Sequence, residues 1–301
     1  MQSNTPAPTA TPRPLAGAVQ RVDCHAHVMV RDARLAEGRH SEPRQDVSAE
    51  DFLAVLDRHG ISHGVLTQPS FYGADNTLLL QALKRHPGRL RGTAIVAPDI
   101  ADEDLDALHR AGVRGLRLNW LRRDTLPDAA GKDYQRLFAR AREHRLHIEL
   151  YVEGRKMAGI LPLIRRGGAA VVVDHFGSPE PDSGIACAGF QEVLKGVRAG
   201  DTWVKLSAPY RLGGRAPQPY ARALLDAGGP EQLLWGSDWP WVSHENSQRY
   251  EQCLADFERW VPDAGQRAVI WRDTPRRLFG FQDGAAPEPA MQHPADAALC
   301  D

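Results

Sequence analysis

Short apolar runs alternate along this chain with longer stretches in which apolar residues recur every three or four positions. The runs are RVDCHAHV, HGVLTQPS, RGTAIVAP, VRGLRLNW, HIELYVEG, AAVVVDHFG, TWVKLSAP and QLLWGSDWP, beginning near positions 21, 63, 91, 113, 147, 171, 202 and 233. Runs of this length bounded by turn residues read as strands, and the segments between them read as amphipathic helices. In VSAEDFLAVLDRHG, Ser48 and Asp51 have the spacing of a capping box, and Gly60 supplies a stop. ADEDLDALHRAG carries acidic residues in its first turn and Gly112 past its end. In NSQRYEQCLADFERWV, Tyr250, Leu254 and Phe257 fall on one helical face.

Eight strand-plus-helix units over residues 19–281 predict a single α/β domain, a (β/α)8 barrel. A doubly wound open sheet is the rival, but no GxGxxG follows the first strand. Residues 1–18 and 282–301 are rich in Ala, Pro, Thr and Asp, and are expected to be disordered tails.

In a barrel, alternate strand residues point inward, and chemistry collects where the strands end. In the first strand, Val22, Cys24 and Val28 share one face, and His25 and His27 the other. If the apolar face meets the helices, both imidazoles point into the barrel mouth and Cys24 is a small outward core residue. By the same parity Arg117, Asn119, Glu149 and Tyr151 point inward, and Leu116, Leu118, Ile148, Leu150 and Val152 outward. His175 ends the sixth strand and Asp238 follows the eighth. Glu149 and Lys205 are expected deep in the barrel as a structural ion pair. His40, His59, His63, His86, His109, His144 and His293 fall in tails, loops or helix ends and are expected to have no special role.

Composition narrows the classes. With 37 basic and 38 acidic residues the net charge is −1, which gives no basic surface for nucleic acid. No apolar run is long enough to span a membrane, and the N-terminus lacks a signal-type apolar core. Cys24, Cys187, Cys253 and Cys300 form no CxxC, so a reduced, cytoplasmic protein is expected. The stretch WGSDW is not a GxSxG nucleophile elbow. The sequence carries no marker of oligomeric state.

An HxH in DCHAHV, a sixth-strand His in DHFGSP and an eighth-strand WGSDWP, in this order, resemble the amidohydrolase superfamily and, within it, the lactonase branch. The resemblance runs from about residue 21 to DTPRRLFGF, supported by TQPSFYGADN, VRGLRLNWLRR, ELYVEG and APYRL. It implies a catalytic cluster of His25, His27, His175 and Asp238. It also implies arginines that hold substrate carboxylates (Arg117, Arg123 and Arg211) and polar pocket residues (Ser70 and Tyr151). The implied activity is hydrolysis of the ester bond of a small anionic lactone in aromatic-compound degradation. Such a substrate would resemble a pyrone dicarboxylate, or a muconolactone bearing a carboxylate or sulfonate. A sugar-acid lactonase, a lactone isomerase and a zinc-dependent decarboxylase of the same superfamily are the alternatives. One departure stands out: where the branch has a histidine shortly after the eighth-strand Asp, this chain has Trp241, with His244 three residues later.

Metal-dependent members of the superfamily add a fifth-strand ligand. This chain offers Tyr151 there, a poor zinc partner beside His, Cys or carboxylate. His25, His27 and Asp238 could still hold one Zn2+. The resemblance to the lactonase branch favours chemistry without a cofactor. Loops at about 29–47 and 239–248 are expected to close the pocket.

Overall fold

The computed structural model describes residues 19–283. The expected tails therefore lie outside the described residues, save for positions 282 and 283, and so does His293. Among the described residues the strands are β1 (Val22–Ala26), β2 (His63–Thr67), β3 (Leu90–Ala94), β4 (Val113–Asn119), β5 (His147–Tyr151), β6 (Val171–Val173), β7 (Thr202–Leu206) and β8 (Leu233–Trp235). They form one sheet in chain order, and the ladders from β1 through to β8 are all parallel. A parallel bridge between Ala26 and Trp239 closes the sheet, with His27 N donating to Trp239 O and Asp238 N to His25 O, each at 2.9 Å. The eight main helices are α1 (Ala49–Arg58), α2 (Thr77–Arg85), α3 (Asp102–Arg110), α4 (Lys132–Glu143), α5 (Gly154–Arg165), α6 (Ala188–Ala199), α7 (Gln218–Gly228) and α8 (Tyr250–Trp260). This is the (β/α)8 barrel expected from the alternation. No helix among the described residues is long and apolar enough to cross a membrane.

The local signals act as the sequence suggests. Ser48 caps α1 through a complete capping box with Asp51, and Gly60 takes φ +66° beyond its end. The outward strand face packs against the helices: Leu116, Ile148, Leu150, Val171, Val173 and Trp235 join the buried helix residues in one cluster.

The first strand departs from simple alternation. Val22 and Cys24 pack with Val65, Val172, Leu234 and Phe279, residues of four other elements that meet only inside the barrel floor. A register shift between Asp23 and Ala26 places one extra residue in β1 opposite β2, a β-bulge. Below the bulge Cys24 faces inward, not outward as expected. Above it His25 and His27 also face inward. The parity argument thus reached the right side for the histidines through a strand it took to be regular.

Closure at this point requires Gly236. A Cβ there would lie 2.6 Å from His25 Cβ, closer than unbonded carbons approach. The buried carboxylate of Asp23 ties the same corner together. It accepts from His25 N at 3.2 Å, Ser237 N at 2.9 Å and the Tyr250 hydroxyl at 2.9 Å.

Candidate active site

At the C-terminal mouth of the barrel lies a cavity of about 610 Å³ lined in part by His27, Arg117, Tyr151, His175, Arg211 and Asp238. That volume suits a small molecule. Its centre is Asp238, on the turn after β8 with φ +60°, a left-handed conformation uncommon for a residue with a side chain. Oδ1 of Asp238 lies 3.4 Å from Nε2 of His25, 3.4 Å from Nε2 of His27 and 3.9 Å from Nε2 of His175. Oδ2 accepts from the Tyr210 hydroxyl at 2.5 Å and from Nε and Nη2 of Arg211 at 3.2 and 3.1 Å. One oxygen therefore faces three imidazoles, and the other is held by a phenol and a guanidinium.

Burial sets the charge states. It would push the Asp238 carboxyl up, but the Arg211 guanidinium and the three imidazoles together outweigh it and hold the group well below the usual carboxylate range. Burial drives the His25 imidazole down to about 4, reinforced by the Lys205 charge, and drives His175 down to about 3. At neutral pH these two rings are uncharged beside an ionised carboxylate.

The floor is a buried ion network. Lys205 Nζ donates to Glu149 Oε2 at 2.6 Å and lies 3.3 Å from Asp174 Oδ1. Arg117 Nη2 donates to Asp174 Oδ2 at 2.9 Å, its Nη1 to Gln68 O at 2.9 Å, and its Nε lies 3.3 Å from Glu149 Oε1. Two cations thus balance two carboxylates. The expected Glu149–Lys205 pair is present, extended by two residues that sequence reasoning did not single out as partners. Arg117 lines the pocket, but with two of its five N–H groups engaged in hydrogen bonds to Gln68 and Asp174.

The structure brings together His25, His27, His175, Asp238, Arg117, Arg211, Tyr151 and Ser70. Tyr151 sets its ring edge-on to His175, centroids 4.8 Å apart, and Ser70 lines the outer wall. Arg123 is corrected: its side chain is exposed and lines no part of the cavity, while its carbonyl accepts from Lys156 Nζ. Arg122, with φ +58°, stands on the wall instead, because the left-handed turn there swaps which of the adjacent arginines faces in. His40 is also corrected. The loop after β1 folds over the mouth and carries it, with Ser41, into the wall. Trp241 turns away from the cavity, its indole N–H donating to Ser237 O at 3.1 Å. His244 lines the mouth, its ring tilted at 41° against that of Tyr210 with centroids 4.5 Å apart. Both loops expected to close the pocket therefore contribute to it.

Sequence reasoning missed Tyr210. APYRL was quoted as a supporting stretch, but a tyrosine one residue before Arg211 carries no mark of its contact with Asp238.

Among the described residues, two groupings could hold a metal: His25, His27 and Asp238; and His25, Asp174 and His175. Both require His25. Its Nε2 is buried without a hydrogen-bond partner, which would suit a ligand. Its Nδ1, however, faces the Lys205 ammonium at 3.1 Å. An ammonium only donates, so Nδ1 presents its lone pair and the neutral ring keeps its proton on Nε2. Arg211 already offsets the charge of Asp238. The donor set as it stands does not fit a metal.

Residues 22–281 match the family model described as amidohydrolase, and the chain belongs to that family. It is 31% identical over 276 residues to a 2-pyrone-4,6-dicarboxylate hydrolase of Comamonas testosteroni, covering 86% of this chain and 89% of that one. It is 30% identical over 287 residues to a 4-sulfomuconolactone hydrolase of Rhizobium radiobacter, covering 91% and 95%. A solved Pseudomonas putida structure, provisionally assigned as a 2-pyrone-4,6-dicarboxylic acid hydrolase, superposes with a TM-score of 0.81 at 38% identity, covering 88% and 99%.

Proposed function

We propose that the protein hydrolyses the ester bond of a small anionic lactone without a metal. The observation that carries the reading is the convergence of three imidazole Nε2 atoms on one oxygen of Asp238 at the mouth of the barrel. The named activities of the two curated relatives, on a pyrone dicarboxylate and a sulfonated muconolactone, support the substrate class. So does a wall carrying four arginines (117, 122, 155 and 211) against three carboxylates (153, 180 and 238).

Asp238 Oδ1 would act as general base, taking a proton from the water that attacks the ring carbonyl; collapse of the tetrahedral intermediate breaks the ring C–O bond, and the proton passes from Asp238 to the departing ring oxygen. Hydrogen bonding divides the work of the histidines. Nδ1 of His27 lies 2.7 Å from Thr67 O, a carbonyl that only accepts. His27 therefore carries its proton on Nδ1, and its bare Nε2 can receive a hydrogen bond from the water. His25, with its proton on Nε2, can donate to the developing oxyanion. The three rings, expected from sequence to share one role, are thus split between water and carbonyl.

Arg211 links binding to basicity. While it holds Oδ2, Asp238 is ionised but a weak base. A substrate carboxylate or sulfonate that draws the guanidinium to itself would return basicity to Asp238 when the ring is in place. The test is ultraviolet loss of the ring across a panel holding pyrone dicarboxylate, carboxy- and sulfo-muconolactones and sugar-acid lactones. Turnover of the doubly anionic members is expected. No turnover of any lactone, or gas release from aromatic carboxylates instead, overturns the reading.

A further inference from the structure

We infer that Lys205 is a positioning residue that sets the tautomer of His25, so that its Nε2 carries the proton, beneath the cavity and 3.4 Å from Oδ1 of Asp238. Lys205 is on β7, fully buried, and outside the cavity wall. Its ammonium donates to Glu149 Oε2 at 2.6 Å and to His25 Nδ1 at 3.1 Å, and lies 3.3 Å from Asp174 Oδ1 without a hydrogen bond to it. Asp174 Oδ1 is also 3.3 Å from His25 Nδ1, yet it has no hydrogen-bond partner. A proton on Nδ1 would therefore miss the carboxylate and meet the ammonium. The lone pair must sit on Nδ1, and the proton on Nε2.

His27 has the opposite arrangement, fixed by the Thr67 carbonyl at 2.7 Å. Two histidines two residues apart are thus held in opposite tautomers, one by an ammonium and one by a carbonyl. Nε2 of His25 makes no hydrogen bond within the protein, so its proton is left unpaired, 3.4 Å from Oδ1 of Asp238. The carbonyl-polarising use of that proton rests on the lactone-hydrolase reading. The tautomer itself does not.

The test is long-range proton–nitrogen correlation NMR of the full chain labelled with 15N-histidine. His25 and His27 are assigned by the signals lost in His25→Asn and His27→Asn. For His25 a protonated Nε2 and a bare Nδ1 are expected, and for His27 the reverse. A protonated Nδ1 on His25 overturns the proposal whether or not any lactone is turned over. Added zinc should leave the His25 signals in place, and zinc-induced loss of its Nε2 proton also overturns it. In folded Lys205→Met, His25 should move its proton to Nδ1, with kcat lower on the order of 10²–10³-fold, as for loss of one oxyanion donor, and KM little changed. Wild-type kcat with an unchanged tautomer removes Lys205 from the role. If Lys205→Met fails to fold, the wild-type spectrum decides alone.

Discussion

The Tyr210 hydroxyl lies 2.5 Å from Oδ2 of Asp238, on the side of the carboxylate turned away from the histidines. A short hydrogen bond to an ionised acceptor is among the stronger neutral-to-charge contacts, and here it fixes the angle at which Oδ1 meets the pocket. Tyr210→Phe keeps the ring and its contact with His244 but removes this bond. We expect kcat to fall on the order of 10–100-fold, in keeping with about 1.5–3 kcal/mol for hydrogen bonds to charged groups, with little change in KM. Steady-state kinetics on the best lactone checks it, and unchanged kcat removes Tyr210 from the positioning of the base.

Asp238→Asn removes the carboxylate proposed as general base and nearly preserves the shape of the side chain. Turnover should fall by at least 10²-fold, while a product or substrate analogue still binds. Wild-type turnover in this variant would show that the attacking water is activated elsewhere.

Arg211 is expected to act on both sides of the kinetics. Arg211→Lys keeps a charge but loses the fork that spans two atoms. KM for a dianionic lactone should rise, and more than KM for a monoanionic one. Equal changes for the two would mean that Arg211 serves only Asp238.

Stability should fall with acid through the neutral histidines. His25 and His63 are pushed down to about 4 and His175 to about 3, in each case mainly by burial. The unfolded chain takes up protons at these sites near pH 6.5, where the folded chain does not. Their contribution is complete above pH 6.5 and is lost as pH falls towards 4 and 3. Asp23, pushed up to about 6 by burial, works in the opposite sense between 6 and its unfolded value. Three groups against one give a net loss, so Tm should drop between pH 7 and 4.5. A flat or rising Tm over that window would contradict these charge states.

The corner between β1 and β8 should tolerate no added side chain. Gly236→Ala pushes a methyl group to within 2.6 Å of His25 Cβ. Lower Tm together with lower kcat is expected, because the same backbone carries His25 and Asp238.

Much of this was legible in the sequence. Burial on both faces makes the strands of a parallel barrel short continuous apolar runs, and all eight were found within one residue of their starts. The polar residues that close those runs, His25, His27, His175 and Asp238, stand out because a strand end is a poor place for them without a pocket. What was not legible depends on local irregularity or on distant partners. The bulge that turns Cys24 inward leaves no mark in the alternation of VDCHA. A left-handed turn decides between Arg122 and Arg123, and neighbouring arginines look alike in sequence. Asp174 and Tyr210 have their roles only through Arg117, Lys205 and Asp238, which the barrel brings to them from other strands. The Trp241 departure is resolved by loop geometry: Trp241 packs away from the cavity and His244 stands at the mouth.

The central claim is that Asp238 and the three imidazoles open a lactone without a metal. Its most direct test is the hydrolysis rate of the best lactone before and after dialysis against a strong chelator, with the metal content of the same samples measured. Rates that are unchanged in protein shown to be metal-free are expected. Activity that disappears on dialysis and returns in proportion to added zinc would contradict the claim and make His25 a ligand.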